Sequence, residues 1–319
     1  MPAAKVSDTK PGSFRQAAAR LVEDFRSRRP LRAGSLVISV FGDAIAPRGG
    51  AIWLGSLINL LQPFGINQRL VRTSVFRLAK EGWFDSEQIG RRSFYSLTPK
   101  GRARFQAASR RIYSEPRHDW QGTWNLVLLS GVDAQHRDAV RKELVWSGFA
   151  PFSANVLAHP SADMRAVEER LDGLPGNDQL LIMRAEAMSN RQGYLRRLVH
   201  ESWALADLSS RYGEFLQRFR PVYQTLRRRR SPDPELAFRV RTLLIHEYRK
   251  ILLRDPFLPD DLLPERWDGV AAYQLCRNLY NEVALPTEEY LTAEMETADG
   301  PLPPAGPDFF RRFGGLITE

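Results

Sequence analysis

The sequence predicts an α+β fold, and three observations carry the prediction. Residues 66–97, INQRLVRTSVFRLAKEGWFDSEQIGRRSFYSL, set an amphipathic helix directly before a hairpin that breaks at Gly90-Arg91-Arg92. Between residues 124 and 183 the periodicity changes to short strands interleaved with two helices, in the order βαββαβ. From Leu195 onward helical spacing takes over. The expected parts are an amphipathic arm at 1–32, a winged helix-turn-helix at 33–116, a ferredoxin-like domain at 117–190, a helical domain at 191–299 and a proline-rich tail at 300–319.

The first helix is expected over Ser13 to Ser27, where Phe14, Ala17, Ala18, Leu21, Val22 and Phe25 keep helical spacing until Arg28-Arg29-Pro30 ends it. Helical segments follow at Ser35 to Ala44 and at Ile52 to Leu61, and Gln62-Pro63-Phe64-Gly65 turns the chain into the next helix. That helix starts at Asn67, an N-cap residue type, and stacks Val71, Val75 and Leu78 on one face. After the hairpin, Thr98-Pro99-Lys100-Gly101 opens a basic helix to about Tyr113, and Glu115-Pro116 marks a boundary. Strands are expected at Trp124 to Leu129, Phe149 to Phe152, Asn155 to Ala158 and Gln179 to Met183, with helices at Asp133 to Val145 and Ser161 to Leu171. Asp233-Pro234 and Asp268 read as helix starts. The tail GPLPPAGPDFF reads as loosely held unless Phe309, Phe310 and Phe313 anchor it.

The helix and hairpin also carry the functional reading. Asn67, Gln68, Arg69, Arg72, Thr73 and Arg77 lie on or near the polar face, where a helix in the major groove needs donors to reach base edges. Arg91 and Arg92 sit at the hairpin tip, where a basic wing meets phosphate or the minor groove. The charge distribution agrees. Residues 1–117 hold 21 Lys and Arg against 8 Asp and Glu, a net +13; residues 118–190 net −4, and residues 191–319 net zero, which together give the chain's +9. A basic excess confined to the first third is the electrostatic footprint of a phosphate-binding surface. One helix contacts only a few base pairs, so a two-fold dimer on double-stranded operator DNA is expected.

Composition excludes other classes. With 43% hydrophobic and 26% charged residues the chain is globular in type, and no apolar run approaches the roughly 20 residues that span a bilayer. The start MPAAKVSDTKPG lacks the apolar segment of a secretion signal, and the single cysteine, Cys276, forms no internal disulfide, so a reducing cytoplasm is expected. Five scattered histidines, with His246-Glu247 lacking a second histidine one turn on, argue against a zinc hydrolase.

LLIHEYRKILLRDPFLPDDLLPERW at 243–267 with LCRNLY at 275–280, SLVISVFGDAIAPRGGAIWLGSLINLL, LVRTSVFRLAKEGW at 70–83, WNLVLLSG at 124–131 and RKELVWSGFAPFS at 141–153 together resemble the PaaX family of phenylacetate-pathway transcriptional repressors, a likeness that covers about residues 33 to 297. The resemblance implies a central domain like Cas2, a helical C-terminal domain, and a homodimeric repressor released from DNA by phenylacetyl-CoA or a related aryl-CoA thioester, with no resident cofactor. It also directs attention to His246, Tyr248, Arg249, Lys250 and Arg254. His246, Arg249 and Lys250 stand at i, i+3 and i+4, so one helical face is expected to offer donors to the phosphates of such an effector. Buried structural polar groups explain His246 and Glu247 equally well. The run Arg227 to Arg230 reads as a solvated helix end favoured by the macrodipole.

Two other functions compete. A metal-dependent nuclease would use Asp133, which stands near where Cas2-type nucleases carry a metal-binding aspartate, although an N-cap role explains a Ser-Gly-Val-Asp turn more simply. A structural protein that binds DNA without sequence preference would share the basic footprint and lack the specificity ratio. The expectation is a non-enzyme.

Overall fold

The computed structural model describes residues 13–115, 120–188, 192–226 and 232–316, and the run Arg227 to Arg230 lies outside them. The chain divides into two compact units, one of residues 1–115, 214–250 and 271–319, the other of residues 116–213 and 251–270.

The first unit opens with α1 (Phe14–Ser27), started by a capping box in which Ser13 and Gln16 satisfy each other's backbone N–H groups. Its stripe Phe14, Ala18, Leu21, Val22 and Phe25 is buried, so this segment packs as part of the core and is not a free arm. α2 (Ala33–Val40) runs on through a π-helical turn at Phe41–Ile45 and a 3-10 turn at Ala46–Arg48. Then come β1 (Ala51–Trp53), α3 (Leu54–Leu61) and, after a left-handed Gly65 at φ +77°, α4 (Gln68–Lys80). β2 (Phe84–Ile89) and β3 (Arg92–Leu97) form an antiparallel hairpin, and β3 pairs on its other side with β1. The expected helix from Ile52 therefore begins two residues later, because Ile52 is spent pairing with Tyr95. α5 (Pro99–Tyr113) follows, its N-terminus capped by the Thr98 hydroxyl, which accepts from Gly101 N–H at 2.8 Å.

The second unit contains β4 (Thr123–Leu128), α6 (Ala134–Trp146), β5 (Ala150–Ser153), β6 (Val156–His159), α7 (Met164–Leu171) and β7 (Leu181–Glu186). All pairs are antiparallel in the order β5-β6-β4-β7, the order a βαββαβ chain takes when each helix crosses behind the sheet. Alternation along β4 sends Val127 to one face, into a core with Val140, Leu144, Leu157, Val167 and Leu171. Trp124 goes to the other face, against Ala158, Val199, Leu205, Leu258 and Leu262, brought there by α8 (Gln192–Ser202), the start of α9 (Leu205–Leu226) and the segment after residue 250. Both faces of this sheet are covered.

The helical third, expected at 191–299, is divided between the two units. α10 (Pro234–Leu252) shows why. Its Phe238, Val240, Leu243, Leu244, Ile245 and Tyr248 are all buried, so it is apolar around most of its circumference and needs a partner on every side. From residue 214, α9, α10 and most of α11 (Asp268–Glu294) join the first unit instead. The tail is held too: after the short pair β8 (Glu296–Thr297) and β9 (Gly300–Pro301), α12 (Pro307–Phe310) and the turn behind it bury Phe309 and Phe313, while Phe310 stays 39% exposed.

Candidate nucleic-acid interface and its supports

Every polar residue expected on α4 reaches solvent. Asn67, Gln68, Arg69, Arg72, Thr73 and Arg77 are exposed, while Val71, Ser74, Val75 and Leu78 are buried. Asn67 is the N-cap, its Oδ1 accepting from Leu70 N–H at 2.9 Å, so its side chain is committed to starting the helix. The Thr73 hydroxyl donates to the Arg69 carbonyl at 2.9 Å, and Arg72 can donate to the Gln68 amide oxygen at 2.9 Å when that amide is turned to face it. Arg77 lies nearest the C-terminal end, 3.6 Å from Glu81. It also lies over α2 at Gly34, where an added Cβ would come within 2.6 Å of its guanidinium and displace it.

Sequence reasoning overlooked Phe76, which is 58% exposed and carries the Lys80 ammonium 4.7 Å from its ring centre. The spacing 69, 72, 73, 76, 80 would have found it, since those residues share one helical stripe. A large ring on that stripe has the chemistry to meet a thymine methyl group.

The hairpin turns in two residues, Gly90 at φ +61° and Arg91, between the pair Ile89 and Arg92. Arg91 is exposed at the tip. Arg92 is differently placed. Its guanidinium meets Glu296 at 2.6 Å and stacks 4.4 Å from the Trp53 ring centre, so it pins the hairpin to β1 and the segment after α11.

Of the donors expected on α10, His246 and Tyr248 are turned inward, while Lys250 and Arg254 keep access to solvent. His246 is 3% exposed, its Nδ1 2.9 Å from the Ser39 hydroxyl of α2 and its ring edge-on to Phe25. Burial lowers its pKa well below the usual histidine value, and the neighbouring Arg249, Lys250 and Arg28 push the same way, so the ring is neutral near pH 7 and offers no charge to a phosphate. Because the Ser39 hydroxyl donates to the Ser35 carbonyl at 3.1 Å, Nδ1–H is the donor in the His246–Ser39 bond. Arg249 donates to the Ser35 hydroxyl and carbonyl at 2.9 and 3.2 Å, and Tyr248 packs on Phe215. Lys250 stays near solvent, 3.5 Å from Glu247, a carboxylate that also takes Arg28 at 2.8 Å and Arg218 at 3.1 Å. Arg254 is exposed and belongs to the second unit. The i, i+3, i+4 pattern is real, but α10 is packed on most of its sides and buries His246 along with its apolar residues.

Behind α2 lies a buried ionic cluster. Asp43 Oδ2 accepts from Arg241 at 2.7 Å, and Oδ1 accepts from Tyr113, Tyr280 and Arg312 at 2.8, 2.9 and 2.9 Å. Arg241 also meets Glu288 at 2.7 Å, and Arg48 meets the same carboxylate. Burial alone would raise the Asp43 pKa, but Arg241 and Arg312 outweigh it and hold the carboxyl below the usual range. Burial pushes Tyr280 up to about 12 and Tyr113 well above the ordinary phenol value, so both remain donors. Four segments distant in sequence, those of Tyr113, Arg241, Tyr280 and Arg312, are thereby fastened to the end of α2, which in turn supports α4.

In the second unit Asp133 stands at the N-cap position of α6, yet its carboxylate makes no capping bond; its backbone N–H donates to the Gln179 side chain at 3.0 Å. Among the described residues no three His, Cys, Asp or Glu side chains gather as a metal-binding group, and no helix is long and apolar enough to cross a membrane.

Comparison with known proteins matches three family models to this chain: a PaaX-like protein at residues 32–101, the PaaX protein central Cas2-like domain at 117–195 and the PaaX-like protein C-terminal domain at 203–293. Transcriptional repressor PaaX of Escherichia coli (strain K12) is 40% identical over 292 residues, covering 91% of this chain and 92% of that protein. Among solved structures, the uncharacterized protein Rv0674 from Mycobacterium tuberculosis is similar at 21% identity with a TM-score of 0.48, over 73% of this chain and 88% of that one.

Proposed function

The chain belongs to the PaaX family, and from that premise we propose that it is a DNA-binding transcriptional repressor of an aromatic-acid catabolic operon, acting as a homodimer and released by an aryl-CoA thioester. The observation that carries the reading is the exposed stripe Arg69, Arg72, Thr73 and Phe76 on α4 beside a hairpin with Arg91 at its tip. In this reading α2, α3 and α4 with β1, β2 and β3 are a winged helix-turn-helix: α4 enters the major groove and the Gly90-Arg91 turn rests on the adjacent backbone. Arg92 orients that wing and contributes less charge to the DNA, because Glu296 neutralises it.

Release must come from differential affinity. Moving a population from 99:1 bound to 1:99 requires the ligand to favour the free form by about 5.5 kcal/mol. Burying one aromatic ring contributes roughly 1.5–3 kcal/mol, so the charged CoA portion has to supply the remainder. Free phenylacetate is accordingly a poor inducer.

The testing experiment measures operator and random-sequence DNA affinity at one salt concentration, then titrates the operator complex with phenylacetyl-CoA, CoA and phenylacetate. A specificity ratio near unity, or cleavage of the DNA once Mg²⁺ or Mn²⁺ is added, rejects the repressor. Release by phenylacetate equal to that by the thioester rejects the effector.

A further inference from the structure

With the α10 face closed, the first unit offers another place for an anionic aromatic ligand. A cavity of about 510 Å³ opens between α5 and the C-terminal turn, within the roughly 300–1,000 Å³ that small-molecule clefts occupy. Phe105, Tyr113 and Phe309 give it aromatic walls. Arg102, Arg110 and Arg311 stand around it, with Asp308 as its one lining carboxylate, paired to Arg311 at 3.0 Å. Arg102 donates to the Gly49 carbonyl at 3.0 Å, which leaves its other donors available, and Arg110 is exposed to solvent. Guanidinium groups beside aromatic surface are the donor set for a phosphorylated ligand that carries a ring.

We propose that this cavity is the binding site of the aryl-CoA effector, with the ring against Phe105, Tyr113 and Phe309 and the phosphates on Arg102, Arg110 and Arg311. The assignment rests on the effector reading above and names its site. The cavity also has a physical route to the DNA-reading helix. Tyr113 and Arg312 line it, and both hold Asp43 at the end of the α2 segment, at 2.8 and 2.9 Å. α2 meets α4 where Arg77 lies over Gly34. A ligand that draws Tyr113 or Arg312 toward itself loosens Asp43, and with it the seat of α4.

The test uses the full chain and two exposed positions, Arg110→Glu to reverse a rim charge and Gln106→Trp to fill the opening. Phenylacetyl-CoA, benzoyl-CoA, CoA and phenylacetate are titrated calorimetrically into wild type and both variants, and operator affinity and melting temperature are measured without ligand. The expected result is at least a tenfold loss of thioester affinity in both variants, with operator affinity within twofold of wild type, melting unchanged, and release from DNA displaced to at least tenfold higher thioester concentration. Thioester binding equal to wild type in Arg110→Glu overturns the cavity assignment and leaves the effector reading standing. Failure of wild type to bind any thioester overturns both. Loss of operator affinity with thioester affinity intact makes the rim a DNA-phosphate surface, and also overturns the assignment.

Discussion

Asp43 and Arg241 meet at 2.7 Å, carboxylate Oδ2 to guanidinium Nε, with the arginine side chain wholly withdrawn from water. A pair like this is a weak source of net stability, because removing two charges from water costs nearly what their attraction returns. Losing one member is different, since the other is stranded. Asp43→Ala takes the carboxylate partner from Arg312 and leaves Arg241 only Glu288, and is expected to destabilise the fold by about 3–5 kcal/mol, read as a lower urea midpoint. Because the folded pKa of Asp43 is held below its unfolded value of ~3.9, its contribution is complete above that pH and fades as pH falls further. The gap between wild type and Asp43→Ala should therefore be constant from pH 7 to 5 and shrink below about pH 4; a gap already closing at pH 6 contradicts the assignment.

His246 sets a second pH dependence of the opposite chemical type. Its folded pKa is depressed, so below ~6.5 the unfolded chain takes a proton that the folded protein refuses. Its stabilising contribution is thus complete above about pH 6.5 and declines below it by up to ~1.4 kcal/mol per pH unit. Melting curves of wild type and His246→Asn between pH 7.5 and 5 should converge as pH falls. Parallel curves would mean that His246 takes up its proton as readily in the fold as in the unfolded chain.

On α4, Arg72→Ala is expected to weaken operator binding by about 1–3 kcal/mol and to relax sequence preference at one position. Arg77→Ala should cost less, since Arg77 is shared with Glu81 and the α2 contact at Gly34. Gel-shift titrations against the operator and a set of single-base variants give both numbers. Equal affinity of Arg72→Ala and wild type for every site would remove α4 from the major groove.

Arg91 and Arg92 separate two roles that adjacency in sequence conceals. Arg91→Ala should weaken operator and random DNA alike and reduce the salt slope by about one. Arg92→Ala should leave the slope nearly unchanged and act through hairpin mobility, because Glu296 and Trp53 lose their partner. Affinity measured at four salt concentrations distinguishes them, and identical slopes for the two variants would refute the division.

A dimer is the expected DNA-binding form, with half-sites about one helical turn, roughly 34–36 Å, or a multiple of it apart. Sedimentation of the free protein and of its operator complex checks this. A monomer in both would end the two-fold reading.

What the sequence disclosed was what local chemistry determines. Asn67 caps α4 from one turn away, Gly90 fixes the hairpin turn, and the alternation along β4 sorts its side chains between two faces. The βαββαβ order was legible for the same reason, since each element declares its own period. β1 was missed because three residues are too few to show alternation. The inward turn of His246, Tyr248 and Arg249 was missed because i, i+3, i+4 spacing says that side chains share a face and not which way the face points. The Asp43 cluster had no nearby sign of its partners, which stand 70 to 269 residues further along the chain. One clue was present: Asp43 is the single carboxylate in the apolar run SLVISVFGDAIA, and such a charge requires a buried counterpart.

The separation of Asp43 from Arg312 has a consequence for biosynthesis. At ~5–20 residues per second of translation, the arginine follows the aspartate by roughly 13–54 seconds. α4, at Gln68–Lys80, is likewise complete long before the last clamp on Asp43 is made. A chain cut short before residue 312 carries an Asp43 that lacks one of its two arginine partners, and Tyr280 loses its contact with the tail. A chain that stops short of residue 312 is thus expected to hold the end of α2, and with it the seat of α4, less firmly than one that includes the arginine.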